Sequence, residues 1–268
     1  MAAQSSSSEI IIDELQKLLL SENERIEEYV KAKIEKLIAD HAEKREPCHC
    51  SPPVKRIIDG FLHFKACKFD KHPEIFEPLA KAQDPRFLIF TCSDSRVSPS
   101  HVLDFQPGEA FMARNISGIV PPFNELRYSS VGAVIEYALT VLKVENILII
   151  GHRKCGGIDR LMNLPDDSTH QNDFLDDWVK IALPAKTKVE KEFGDLPKEE
   201  QIKICERESV NNSLCNLLSY PLVSNGYKRK KIALWGGYYD FEDGHFELWE
   251  FRSKMPPIIV GGCIKVSP

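Results

Sequence analysis

The chain has no stretch approaching the roughly 20 consecutive apolar residues that a membrane span requires. It also lacks a secretory signal: no apolar core with a small-residue cleavage site stands near the start. Glu9, Asp13, Glu14, Glu22 and Glu24 follow the transit-like Ser5–Ser8 at once, against an organelle presequence. A cytoplasmic protein is the expectation. No excess of positive charge is present either, since the net charge is −5, which disfavours nucleic acid or an anionic membrane as partner. The one basic run, Lys228–Lys231, has no interleaved aromatic residues of the kind that stack on bases, and reads as a solvated turn before a strand. No strand is followed by a G-x-G-x-x-G turn, so a dinucleotide site is not expected. Internal repeats are absent.

What is present suits a packed α/β protein. Of 268 residues, 43% are hydrophobic, enough for one large core or two small ones. Residues 9–45 carry a helical period, with Ile26, Val30, Ile34 and Leu37 on one face, and Ser21 with Glu24 resembles a capping box. A proline-rich stretch near 47–53 closes this segment, so the division is a helical arm and linker over 1–53 and an α/β domain over 54–268. Phe87–Thr91, Ala110–Ala113, Asn146–Ile150 and Lys231–Trp235 read as short buried strands, separated by helical patterns near 127–142, 172–192 and 198–219. That alternation predicts a mainly parallel central sheet flanked by helices. Phe246–Phe251 alternates after a Glu-Asp-Gly-His turn and is expected to be an antiparallel edge strand. Pro257–Lys265 offers a further edge strand.

Eight cysteines in a cytoplasmic chain are free thiols or metal ligands more often than disulfides. Cys67, Cys205 and Cys215 lie in apolar helical patterns and read as buried packing residues. Cys48-His49-Cys50 looks metal-like, but ligands so close in sequence wrap poorly around one ion. Cys92 follows the first predicted strand, in Cys92-Ser93-Asp94-Ser95-Arg96; His152 and Cys155 follow the third, in Gly151-His152-Arg153-Lys154-Cys155-Gly156-Gly157. Active sites of open parallel sheets gather at the carboxyl ends of strands. Two cysteines and one histidine there form a zinc donor set that leaves a fourth position open. The alternative reading makes both cysteines buried thiols and His152 a helix cap.

Longer stretches carry a resemblance. Cys92–Val97, Pro99–Ala110, Arg114–Ile116, Val120–Pro122, Ile135–Tyr137, Leu142–Val144, Asp176–Lys180 and Gly236–Phe241 are similar to a plant-type β-carbonic anhydrase, over about Val54 to Phe251. The resemblance implies one Zn²⁺ per protomer on Cys92, His152 and Cys155, and reversible hydration of CO₂ to bicarbonate by a zinc-bound hydroxide. It implies a dyad of Asp94 and Arg96, in which the Asp orients that hydroxide or itself takes the fourth position. Gln83, Phe111, Ile116 and Tyr137 match positions lining a CO₂ pocket at a subunit interface. The obligate unit it implies is at least a homodimer, with the homo-octamer common among plant members.

The chain departs from that pattern where the family usually has small residues, at Arg153 and Lys154. Pointing to solvent, they leave catalysis untouched. Pointing at the metal, they favour deprotonation of its water and recruit bicarbonate. Crowding the pocket or clasping Asp94, they give a weak enzyme, or one repurposed for another small carbonyl substrate. A non-catalytic, zinc-stabilised binding protein is the remaining reading, and the retained Asp94 and Arg96 argue against it.

Overall fold

A computed structural model describes residues 51–125, 127–165 and 172–252. The expected helical arm, Cys48-His49-Cys50 and Pro257–Lys265 lie outside the described residues. The chain divides into two compact units, residues 1–71 and 72–268. In the first, helix α1 spans Pro52–Phe64, with its prolines at the opening positions where no N–H is needed. A single π-helical turn, Lys65–Phe69, continues it. Neither element buries a residue, and Ile57, Phe61 and Leu62 are exposed.

The second unit is built on a five-stranded sheet in the order β2-β1-β3-β4-β5. Its strands are β1 (Phe87–Cys92), β2 (Ala110–Asn115), β3 (Asn146–His152), β4 (Ala233–Asp240) and β5 (His245–Glu250). The first four are mutually parallel and β5 is the antiparallel edge, as the alternating pattern predicts. Around them lie helices α2 (Pro73–Leu79), α3 (Pro99–Val102), α4 (Ser129–Thr140), α5 (Gly156–Met162), α6 (Leu175–Val179), α7 (Leu183–Phe193), α8 (Lys198–Leu217) and α9 (Pro221–Lys228).

Leu88, Phe90, Ile147, Ile149 and Leu234 on one sheet face pack with Val131, Ile135 and Ala138 of α4 and Val210, Leu214 and Leu217 of α8. Such continuous apolar strands are what a parallel sheet covered by helices demands. A separate apolar cluster surrounds the carboxyl ends of β1 and β3, and joins Cys92 and Cys155 to Ile158, Leu161, Val179, Val189 and Cys205.

Three expectations need correction. The fourth strand begins at Ala233 rather than Lys231 and runs on to Asp240, through Gly236-Gly237. Those glycines do not end the strand; they seat rings from β5. A Cβ on Gly236 would lie 2.2 Å from Trp249 Cε2, and one on Gly237 would lie 2.8 Å from Phe246 Cζ. The helical pattern over 172–192 is broken into α6, a 3₁₀ turn at Lys180–Ala182 and α7, because Pro184 starts a new helix more readily than it continues one. Cys205 is buried as expected, but Cys67 and Cys215 are exposed. Ten positions along α8 turn Cys215 about 80° from Cys205, off the buried face. The basic run is exposed and ends α9 before β4, as expected.

Gly118 has φ +63°, and a Cβ there would stand 3.0 Å from Thr91 Cα and 3.2 Å from the Ile150 carbonyl oxygen. Both obstacles are backbone, so neither yields. Gly118→Ala is expected to lose at least about 2 kcal/mol of stability, read from the denaturant midpoint at unchanged m-value; an unshifted midpoint would show that the loop relaxes freely.

Candidate metal centre

Parallel pairing sets the site. Thr91 of β1 is registered with Ile150 of β3, so both strands release their next residues side by side at the carboxyl edge. Cys92 ends β1, His152 ends β3, and Cys155 caps α5 from an extended backbone. Their donor atoms all lie within 4.8 Å of one another, and all three residues are buried. His152 Nδ1 lies 2.9 Å from the Arg153 carbonyl oxygen, to which it donates. That bond leaves Nε2 as the lone-pair nitrogen, and Nε2 is buried without a hydrogen-bond partner. Within the protein, such a buried acceptor faces only the weak S–H donors of the two thiols.

The thiols say the same. Cys155 is pulled down to about 7, first by its contact with Cys92, against burial, and with help from Ser117 and the N–H groups of Ile158 and Gly157. Cys92 is pushed up to about 12, first by that same neighbour and then by burial. Two thiolates this close repel in an apolar site unless a cation stands between them. The donor set therefore fits one Zn²⁺, which takes thiolate sulfur and neutral imidazole and satisfies all three. Ser117 supports the sulfurs, donating its N–H to Cys92 Sγ at 3.3 Å and placing Oγ 3.2 Å from Cys155 Sγ. Its backbone is left-handed, φ +64°, and Gly157 leaves the room it needs.

Asp94 and Arg96 stand beside the centre as a forked pair. Asp94 Oδ1 accepts Arg96 Nε–H at 2.9 Å and Oδ2 accepts Nη2–H at 2.6 Å, with the Arg96 backbone N–H also on Oδ1 at 2.9 Å. The guanidinium holds the carboxyl well below the usual carboxylate range, against partial burial. Arg96 lies over the Phe241 ring at 4.2 Å, and that ring is 6.2 Å from the His152 ring.

The remaining predicted residues divide. Ile116 follows β2 at the metal edge, its carbonyl accepting Trp178 Nε1–H at 2.8 Å, and its side chain half exposed. Phe111 and Tyr137 contact each other at 5.7 Å. Phe111 pairs with Leu88, four residues before the Cys92–Asn115 pair and so about 13 Å along the strand from the metal edge. Gln83 is exposed in the segment leading into β1, at the opposite end of that strand from Cys92. One chain does not bring these four residues together.

Arg153 follows none of its three expected courses. Its side chain is 8% exposed, yet it turns to Glu242 and Glu199 at 2.8 and 2.7 Å. Lys154 also pairs with Glu242, and so does not clasp Asp94.

Two supports went unread in the sequence. Arg114 donates to the carbonyls of Cys92 and Asp94 at 3.0 and 2.7 Å, pinning the loop after β1. Glu206, buried on α8, accepts the Cys155 N–H at 3.1 Å and the Tyr238 hydroxyl at 2.6 Å. No local motif marks either role, because each depends on which elements become neighbours.

A profile described as carbonic anhydrase matches residues 87–246, and the chain belongs to that family, in its plant-type β class. It is 46% identical to Beta carbonic anhydrase 3 of Arabidopsis thaliana over 254 residues, 94% of this chain and 98% of that protein. Among solved structures it is similar to the β-carbonic anhydrase CcaA, with TM-score 0.69 and 31% identity, over 73% of this chain and 94% of that one. It is also similar to a tetrameric β-carbonic anhydrase of Sordaria macrospora, with TM-score 0.66 and 25% identity, over 74% of this chain and 97% of that one.

Cys92→Ala, His152→Ala and Cys155→Ala are each expected to carry less than about a tenth of the wild-type zinc, which should be about one ion per chain. Elemental analysis of the purified proteins checks this; full zinc in any of the three would remove that residue from the ligand set.

Proposed function

We propose that the chain is a zinc-dependent lyase interconverting CO₂ and bicarbonate, with Cys92, His152 and Cys155 as its metal ligands and Asp94 and Arg96 as its catalytic dyad. The observation that carries this reading is a buried Cys₂His donor set with an orphaned Nε2, beside a carboxylate fixed by an arginine fork. Zinc held by those residues supplies Lewis-acid activation of a water molecule near neutral pH.

The chain's own groups do the rest. Arg96 keeps Asp94 ionised and immobile, so its carboxylate accepts a hydrogen bond from the attacking oxygen and aims a lone pair at the CO₂ carbon. As the new C–O bond forms, one C=O electron pair moves onto oxygen, and the Gln83 amide donates a hydrogen bond to that developing charge. The proton lost by water leaves to buffer. Phe111, Ile116 and Tyr137 give walls suited to a small uncharged substrate. A purely structural zinc site has use for neither Asp94 nor Arg96, and this disfavours a non-catalytic reading.

The site is completed between two copies of the chain. Gln83 precedes β1 and Phe111 lies near the start of β2, with Tyr137 of α4 against its ring, all away from the Cys92 end, so they serve a metal centre only if it belongs to a neighbouring protomer. Ile57, Phe61 and Leu62, exposed on α1, are apolar surface of the kind that association covers. The functional unit is accordingly a homo-oligomer, a dimer at least; the Sordaria relative is a tetramer. Among the described residues no helix is long and apolar enough to cross a membrane. The reading places the enzyme in the cytoplasm, which fractionation of the full chain checks.

Asp94→Ala is expected to retain zinc and lose at least about 100-fold in the rate of CO₂ hydration by stopped flow. Hydration at the wild-type rate would sink the dyad's role. Co-expression of Gln83→Ala chains with Asp94→Ala chains tests the shared site. If Gln83 acts across the interface, mixed dimers regain one intact site each, about a quarter of all sites at random pairing. No recovery above the separate mutants would put Gln83 in its own chain's site, or in none.

A further inference from the structure

The loop between His152 and Cys155 carries a feature that the proposed reaction does not use. Arg153 and Lys154 are cations within a metal-ligating segment, and both side chains leave it in the same direction. The Arg153 guanidinium is buried, with Nε–H on Glu242 Oε2 and Nη2–H on Glu199 Oε1. Lys154 Nζ takes the other Glu242 oxygen. Glu242 is itself anchored, its N–H donating to Asp240 Oδ1 at 3.1 Å just after β4. Glu199 belongs to the first turn of α8. The metal loop is thereby tied to two elements that supply no ligand.

The backbone of the same two residues faces the reaction centre. The Arg153 carbonyl accepts from His152 Nδ1 at 2.9 Å, and so selects the tautomer and ring angle that present Nε2. The Lys154 carbonyl accepts from Arg96 Nη2 at 3.3 Å, linking the loop to the dyad. The Arg153 N–H is held by the Tyr239 carbonyl at 2.9 Å. Lys154 has φ +51°, a left-handed backbone that a non-glycine residue keeps only when its surroundings hold it there. Side chains that grip Glu242 and Glu199 and carbonyls that orient His152 and Arg96 thus share two consecutive residues.

We infer that Arg153, Lys154, Glu242 and Glu199 form an ionic clamp whose carboxylates act as positioning residues for the metal site, through the carbonyls of residues 153 and 154. The inference rests on the zinc reading above. The two carboxylates contribute unequally. Glu199 is 70% exposed and its arm is screened by water and salt, whereas Glu242 is 38% exposed, bridges both cations and carries most of the effect. A small residue at position 153 would leave the His152–carbonyl bond without this outside anchor. The two departures from the family pattern therefore fasten the site and leave its open position clear.

The test follows zinc release from the holoenzyme into excess chromogenic chelator, at low and high NaCl, together with the visible spectrum of cobalt-substituted protein. Glu242→Gln is the central variant, since it removes charge while keeping shape at a partly exposed position. Arg153→Ser removes the fork, and Arg153→Lys restores charge without it. Glu208→Gln, which breaks the remote Lys188 pair, is the control. Zinc should leave Glu242→Gln and Arg153→Ser about tenfold faster than wild type, with shifted cobalt d–d bands and little response to salt. Arg153→Lys should recover part of the loss, and Glu208→Gln should match wild type. Folded Glu242→Gln and Arg153→Ser proteins with wild-type release rates and cobalt spectra would overturn the clamp while leaving the zinc reading intact. A wild type that binds no zinc would overturn both.

Discussion

Two thiols and an imidazole buried within reach of one another cannot all be satisfied by protein groups, and the fold around the carboxyl ends of β1 and β3 holds them there regardless. In an apolar cluster the pair of sulfurs can share one negative charge but resists two, and His152 Nε2 has at best a weak thiol S–H for a donor. A divalent cation resolves both conflicts at once. Zinc affinity is on this account paired with an unfavourable apo state, and the surrounding hydrogen bonds serve to keep that state from relaxing. Ser117 braces the sulfurs, Glu206 holds the Cys155 amide, and Arg114 pins the carbonyls after β1.

The same logic explains why so many charged groups gather near a centre that hydrates an uncharged molecule. Arg96 fixes Asp94, Arg114 fixes the backbone that presents it, and Arg153 fixes the loop that carries two ligands. Each cation is spent on a carbonyl or a carboxylate. None of these three is left aimed into the open position, and this suits chemistry in which a neutral, linear molecule must approach an oriented oxygen.

Much of this was legible from residues alone. The buried strands, the parallel sheet and the antiparallel edge follow from apolar runs and one alternating segment, and the placement of Cys92, His152 and Cys155 follows from strand ends. What escaped reading depends on neighbours distant in sequence. The strand read as ending at Trp235 runs on through Gly236-Gly237 because Trp249 and Phe246 fill the space above them. Arg153 looks like a solvated or intrusive cation until Glu199 and Glu242, 46 and 89 positions away, arrive beside it. Cys215 looks buried until its angular offset on α8 is taken into account. Gln83 matches a pocket position, yet no pattern along the chain says whose pocket it serves.

The central claim is that the Cys92–His152–Cys155 centre, once loaded, hydrates CO₂. Its most direct test is a zinc titration of the apoprotein with stopped-flow hydration measured at every point. The account predicts activity rising linearly to a break at about one zinc per chain. Saturation with zinc and hydration no faster than buffer would contradict it.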